Sequence, residues 1–171
     1  MAKKGKYGMY IAGGIALLFG ILAFCMMFLN AVTYTGKIAG SQVNLAGSLL
    51  AFGGEVEIKD FGSLAFPIKT LSFNIMVTLA FFLPLVGGVL ALLFKNGLIA
   101  KIVTTACFVV GAVFMFSTTG FVSIGMEEGV ASTITEEGYT VKLAVGPIIG
   151  GILAVLGAVV CFFKGTIVKK I

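Results

Sequence analysis

Four apolar runs organise this chain, from about Tyr7 to Leu29, Leu71 to Phe94, Ile102 to Phe121 and Leu143 to Phe163. Each is about as long as the ~20 residues that a helix, rising 1.5 Å per residue, needs to cross a ~30 Å hydrocarbon core. The pattern predicts four transmembrane helices in one membrane domain covering residues 1–171. Only Lys95-Asn96-Gly97-Leu98-Ile99-Ala100-Lys101 joins the second run to the third. Residues of about 33–70 and 118–142 separate the other pairs, so both long loops share one side.

The loops carry a different pattern. Glu55-Val56-Glu57-Ile58-Lys59 alternates polar and apolar as a half-buried strand does, and Thr133-Ile134-Thr135 and Tyr139-Thr140-Val141 flank a Glu136-Glu137-Gly138 turn. The predicted fold is therefore an all-α membrane protein, a four-transmembrane-helix bundle bearing a small extracellular β-layer from its two outer loops. Ser41 to Gly54 lacks charge and contains Val43, Leu45, Leu49, Leu50 and Phe52. It is too apolar for a solvated loop and should pack on the β-layer, dip into the membrane surface or meet a partner.

Composition agrees with a membrane setting. Hydrophobic residues make up 59% of the chain and charged residues 11%, with a mean hydropathy of +1.14, whereas soluble domains are about 25% charged. Lysine supplies every basic residue, and Arg, His and Trp are absent, a usage that suits a bacterium with an AT-rich genome. The net charge of +5 is topological, because no basic stripe interleaved with aromatics points to nucleic acid.

The lysines fix the expected orientation. Lys3, Lys4, Lys6, Lys95, Lys101, Lys164, Lys169 and Lys170 lie on one side, and Lys37, Lys59, Lys69 and Lys142 on the other with all the acids: Glu55, Glu57, Asp60, Glu127, Glu128, Glu136 and Glu137. The positive-inside rule then places both termini in the cytoplasm of a multi-pass plasma-membrane protein. Tyr7, Tyr10 and Tyr34 read as interfacial aromatics. Leu22-Ala23-Phe24-Cys25 approaches a lipoprotein cleavage box, but Phe24 stands where a small residue belongs and the apolar run continues, so an uncleaved span is expected. Cys25, Cys107 and Cys161 fall inside apolar runs at different inferred depths and read as small core residues, not a disulfide framework.

Small residues mark the expected helix seams, since close backbone approach drives much of helix association in lipid. Ala16, Gly20, Gly87, Ala91, Gly111, Gly150, Ala154 and Gly157 recur at helical spacings, together with Thr104, Cys107 and Ala158. Pro84 lies mid-span and should kink its helix. Pro84-Leu85-Val86-Gly87-Gly88-Val89-Leu90-Ala91 matches Pro147-Ile148-Ile149-Gly150-Gly151-Ile152-Leu153-Ala154 in spacing, which suggests two helical hairpins repeated in one orientation.

In topology the chain resembles claudin-like four-helix membrane proteins, with cytoplasmic ends, a longer first outer loop and a shorter second one. That family's first loop is marked by a tryptophan near a Gly-Leu pair and by two cysteines. Here neither outer loop holds Trp or Cys, so the resemblance is architectural and transfers no functional residue.

Chemistry is sparse. No imidazole or clustered thiolate offers a metal site, and no phosphate loop or nucleophile elbow is present, so no cofactor is expected. Glu127, Glu128, Glu136 and Glu137 form an acidic outer surface, read as a solvated face. No span carries a central charge of the kind that ion coupling requires. The leading expectation is a non-enzymatic membrane scaffold or interaction protein, a subunit of a homo- or hetero-oligomeric assembly whose partners are the lipid bilayer and a protein bound through helix seams or outer loops. The alternative is an oligomeric channel or passive permeation pathway with an acidic outer mouth.

Overall fold

A computed structural model of the chain describes residues 2–35, 42–56, 69–94, 97–122 and 140–170. Helix α1 (Ala2–Cys25) runs through a 3-10 turn (Met26–Phe28) into strand β1 (Asn30–Thr35). Strand β2 (Gln42–Ala46), helix α2 (Gly47–Phe52), and strands β3 (Gly54–Val56) and β4 (Lys69–Leu71) follow. Helices α3 (Ile75–Leu93) and α4 (Leu98–Phe116) form a hairpin; α5 (Thr118–Phe121), β5 (Thr140–Leu143) and α6 (Val145–Lys170) complete the order.

Among the described residues four segments are long and apolar enough to cross a membrane: Tyr10–Phe28, Ile75–Leu93, Leu98–Phe116 and Val145–Ile167. Their boundaries shift from those expected. Leu71 belongs to β4, and α3 begins only after Asn74, whose side chain accepts from the Met76 and Val77 amides and so ends the extended segment. Leu143 belongs to β5, and α6 continues past Phe163 to Lys170. The third helix starts at Leu98 and breaks at Ser117, which leaves Thr118–Phe121 as a separate turn of helix.

The four long helices pack in a ring, α1 against α3, α3 against α4, α4 against α6 and α6 against α1. Large apolar side chains such as Leu18, Val86, Val113 and Ile152 point outward, while Ala16, Ala91, Ala112, Ala154 and Ala158 are buried at the helix contacts around a few large side chains such as Phe81, Phe108 and Met115. Large apolar side chains on the outside with small ones at the helix contacts suit a lipid environment.

The strands gather at one end, called here the sheet end; the other is the tail end. Antiparallel pairing gives the order β2-β1-β5, with Val32 opposite both Leu45 and Leu143 and Tyr34 opposite both Val43 and Val141. A bulge between Asn30 and Val32 inserts Ala31, which accepts from the Ala144 amide. Val32 and Tyr34, two residues apart, consequently face the same buried core as Met27, Phe81 and Met115. Tyr34 is therefore a core residue beneath the sheet and not an interfacial anchor.

Strands β3 and β4 pair separately, Glu55 opposite Thr70. Ser41 lies outside the described residues, but the apolar stretch that follows it becomes β2 and α2. Gly47 opens α2 against the Phe81 ring, and its amide donates to the Leu29 carbonyl. Gly53 closes α2 at φ 78°, a conformation that favours glycine, with its amide on the Leu49 carbonyl. In the expected β-layer, Glu55 and Val56 lie in β3 and Thr140 and Val141 in β5, the latter paired with β1. Glu57 to Lys59, Thr133 to Thr135 and Tyr139 lie outside the described residues.

Candidate functional site

Among the described residues, polar nodes at Lys164 and Asn74 interrupt the apolar interior, one near each end. At the tail end Lys164, on α6, is only 5% exposed. Its Nζ donates to the Ala91 carbonyl and, at 3.0 Å, to the Phe94 carbonyl. These groups lie at the C-terminal end of α3, where carbonyls lack helical partners and the helix dipole favours a cation. The charge thus bridges α6 to α3 across the bundle. Cys161 lies one turn before Lys164 on the same helix and is buried in one core cluster with Ala91 and Phe108. The Thr104 hydroxyl donates to the carbonyls of Ala100 (2.8 Å) and Lys101 (3.2 Å). Buried Cys161 is a core residue as expected, whereas Cys25 is exposed on the bundle surface.

At the sheet end the buried Asn74 collects three elements. Besides capping α3, its Nδ2 donates to the Phe121 carbonyl of α5 at 2.7 Å, and its amide donates to the Ala51 carbonyl of α2 at 3.1 Å. The Thr78 hydroxyl also reaches the Ala51 carbonyl, at 3.1 Å. Beside this node sits a cavity of about 10 Å³ lined by Leu50, Leu71, Ser72, Asn74 and Val122. Each bond satisfies a backbone group that the break between strand and helix would otherwise leave open.

The small residues occupy the helix contacts between these nodes. A Cβ on Gly20 would lie 2.6 Å from the Pro84 carbonyl oxygen, and one on Gly111 would lie 2.6 Å from the Pro84 ring, so Pro84 is held between glycines of α1 and α4. Gly87 faces Cys107 and Phe108 of α4, whereas its neighbour Gly88 faces Leu17 and the carbonyl of Ala16 on α1. Gly150 meets Met115 and Met26, Gly157 meets the Phe108 ring, and Ala91 and Ala154 are buried. Helix α3 runs unbroken through Pro84, whose missing N–H frees the Ala80 carbonyl. Gly111 stands beside that oxygen, 3.3 Å from where its Cβ would be.

Comparison with protein-family models, curated proteins and solved structures finds no match for this chain. The acidic residues Glu127, Glu128, Glu136 and Glu137 lie outside the described residues. Among the described residues no group of three or more His, Cys, Asp or Glu could hold a metal ion.

The two Pro-initiated repeats correspond in facing but not in depth. Gly88 and Gly151 both face the preceding long helix, at Leu17 and Phe116 respectively. Pro84, however, is the tenth residue of α3 and Pro147 the third of α6. That seven-residue offset displaces the motifs by roughly 10 Å along the helix axis.

Lys164 is the residue that the apolar pattern conceals. It follows the run ending at Phe163 and so reads as a flanking charge, yet α6 continues for nearly two further turns and carries its ammonium inward. The signal available was the lone lysine between Phe162-Phe163 and Gly165-Thr166-Ile167-Val168, another apolar stretch.

Proposed function

We propose that this chain is a non-enzymatic integral membrane scaffold or interaction protein, acting as a subunit of a homo- or hetero-oligomeric assembly. The observation that carries the reading is the use of the bundle interior. Glycine and alanine seams bring the helices into contact, and Lys164, the buried charge among the described residues, is engaged with the backbone carbonyls of α3. An interior committed to packing leaves function to the outward surfaces. These are the lipid-facing sides of the helices and the sheet end with its long loops.

In this reading the protein sits in the plasma membrane with its termini in the cytoplasm and its sheet outside, consistent with the lysine distribution. In-cell cross-linking of the tagged protein, followed by mass spectrometry of what co-purifies in mild detergent, tests it. A defined partner or a homo-oligomer is expected. A clean monomer, together with solute flux through reconstituted liposomes, would overturn it in favour of a permeation pathway.

A further inference from the structure

On the face of the bundle away from the Gly157–Phe108 contact, α4 and α6 part to leave a groove of about 350 Å³. Val109, Phe116, Val159, Phe162 and Phe163 line it, and Thr105 is the polar residue in its wall. The Thr105 hydroxyl oxygen is buried and has no hydrogen-bond partner among the described residues. Measured from Lys101 to Ala112 in the groove wall, α4 runs roughly 16 Å at 1.5 Å per residue, about half the thickness of a hydrocarbon core. That is the reach of one lipid leaflet's acyl chain.

The next residue towards the tail end on this stripe of α4, four positions before Thr105, is Lys101. Its Nζ lies over α6 at Gly165, 2.5 Å from where a Cβ would be, so the missing side chain admits the ammonium. Among the described residues no carboxylate lies beside it. The acid among the described residues is Glu55, in β3 at the sheet end, and every other acid lies in the two loops joined to that end. An apolar slot that begins one turn from a lysine with no carboxylate beside it among the described residues matches the chemistry of a phospholipid bearing a net negative charge.

We propose that the α4–α6 groove binds an anionic phospholipid, its acyl chain along Thr105 to Ala112 and its phosphate at Lys101. The site requires the helices to lie in a bilayer, which is part of the proposed function, but not a particular orientation or partner.

The chain has no tryptophan, so single reporters can be introduced. Phe163→Trp places one in the groove wall, and Leu18→Trp places one on the outward face of α1, where Leu18 is 61% exposed. Both are reconstituted in nanodiscs titrated with chain-brominated phosphatidylglycerol or chain-brominated phosphatidylcholine. Quenching of the Leu18→Trp reporter by both lipids at similar fractions reports bilayer contact alone. At Phe163→Trp, half-quenching should require about fivefold less phosphatidylglycerol than phosphatidylcholine, as expected for one lysine at the membrane surface. Lys101→Gln should remove that preference while leaving quenching by phosphatidylcholine unchanged. Equal quenching by the two lipids at Phe163→Trp, the same preference at Leu18→Trp, or a preference that survives Lys101→Gln would overturn the site. No quenching at Leu18→Trp by either lipid would instead overturn the membrane reading on which it rests.

Discussion

Lys164 and Tyr34 both acquire meanings that their sequence neighbours do not announce. A lysine beyond an apolar run reads as a membrane flank, and only the length of α6 turns it into a buried bridge to α3. Lys164→Met should cost about 1.5–3 kcal/mol, the range for a hydrogen bond involving a charged group, seen as a lower denaturation midpoint in detergent. Retention of the wild-type midpoint would show that water serves those carbonyls equally well. Burial raises the Tyr34 phenol above its ordinary value near 10. The folded state therefore holds its proton at pH values where the unfolded chain releases it. Stability from this residue is fully present below about pH 10 and is lost, by up to about 1.4 kcal/mol per pH unit, as pH rises above that. The decline in stability between pH 9.5 and 11 should be shallower in Tyr34→Phe than in wild type. Asn74 was legible only as a polar residue near a span end, because its three attachments join segments far apart in sequence. Asn74→Ala should cost about 1–3 kcal/mol, through the lost cap and the open Phe121 carbonyl, again read from the denaturation midpoint.

Among the elements, the long helices were the most legible, since a spanning run announces itself by length and hydropathy alone. Their ends were less so, because an apolar residue such as Leu71 or Leu143 suits a strand under a sheet as well as a helix in lipid. The small-residue pattern contains the helix contacts but not their pairing. Nothing in the adjacent Gly87 and Gly88 says that one faces α4 and the other α1. The Pro84 sandwich gives that pairing a measurable consequence. Gly111→Ala drives a methyl into a rigid ring and should destabilise by about 1–3 kcal/mol. The same change in a Pro84→Ala background should cost less, a coupling that a double-mutant cycle of denaturation midpoints will detect. Gly14→Ala meets nothing within 4 Å and should be neutral or slightly stabilising.

For the whole molecule, the sequence placed the strand-forming segments at one end of the bundle but could not supply the order β2-β1-β5, which depends on pairing across more than a hundred residues. The proposed orientation has a direct test in a background lacking Cys25, Cys107 and Cys161. A membrane-impermeant maleimide applied to intact cells should label Thr140→Cys and spare Gly97→Cys, and the reverse result would invert the topology. The continuity of α1 with β1 and of β5 with α6 has a mechanical consequence. Because β1 and β5 are hydrogen-bonded to each other, a one-residue slip would turn every side chain of the slipped strand to its opposite face, and the next slip that restores the facing is about 7 Å away. The two helices are consequently latched lengthwise at the sheet end, so a piston stroke of an ångström or two between them is closed to this fold. What remains open to a signal or a mechanical load is a change of tilt that parts α1 from α6 at the far end, where the Lys164 bridge ties α6 to α3 and leaves α1 as the helix free to swing.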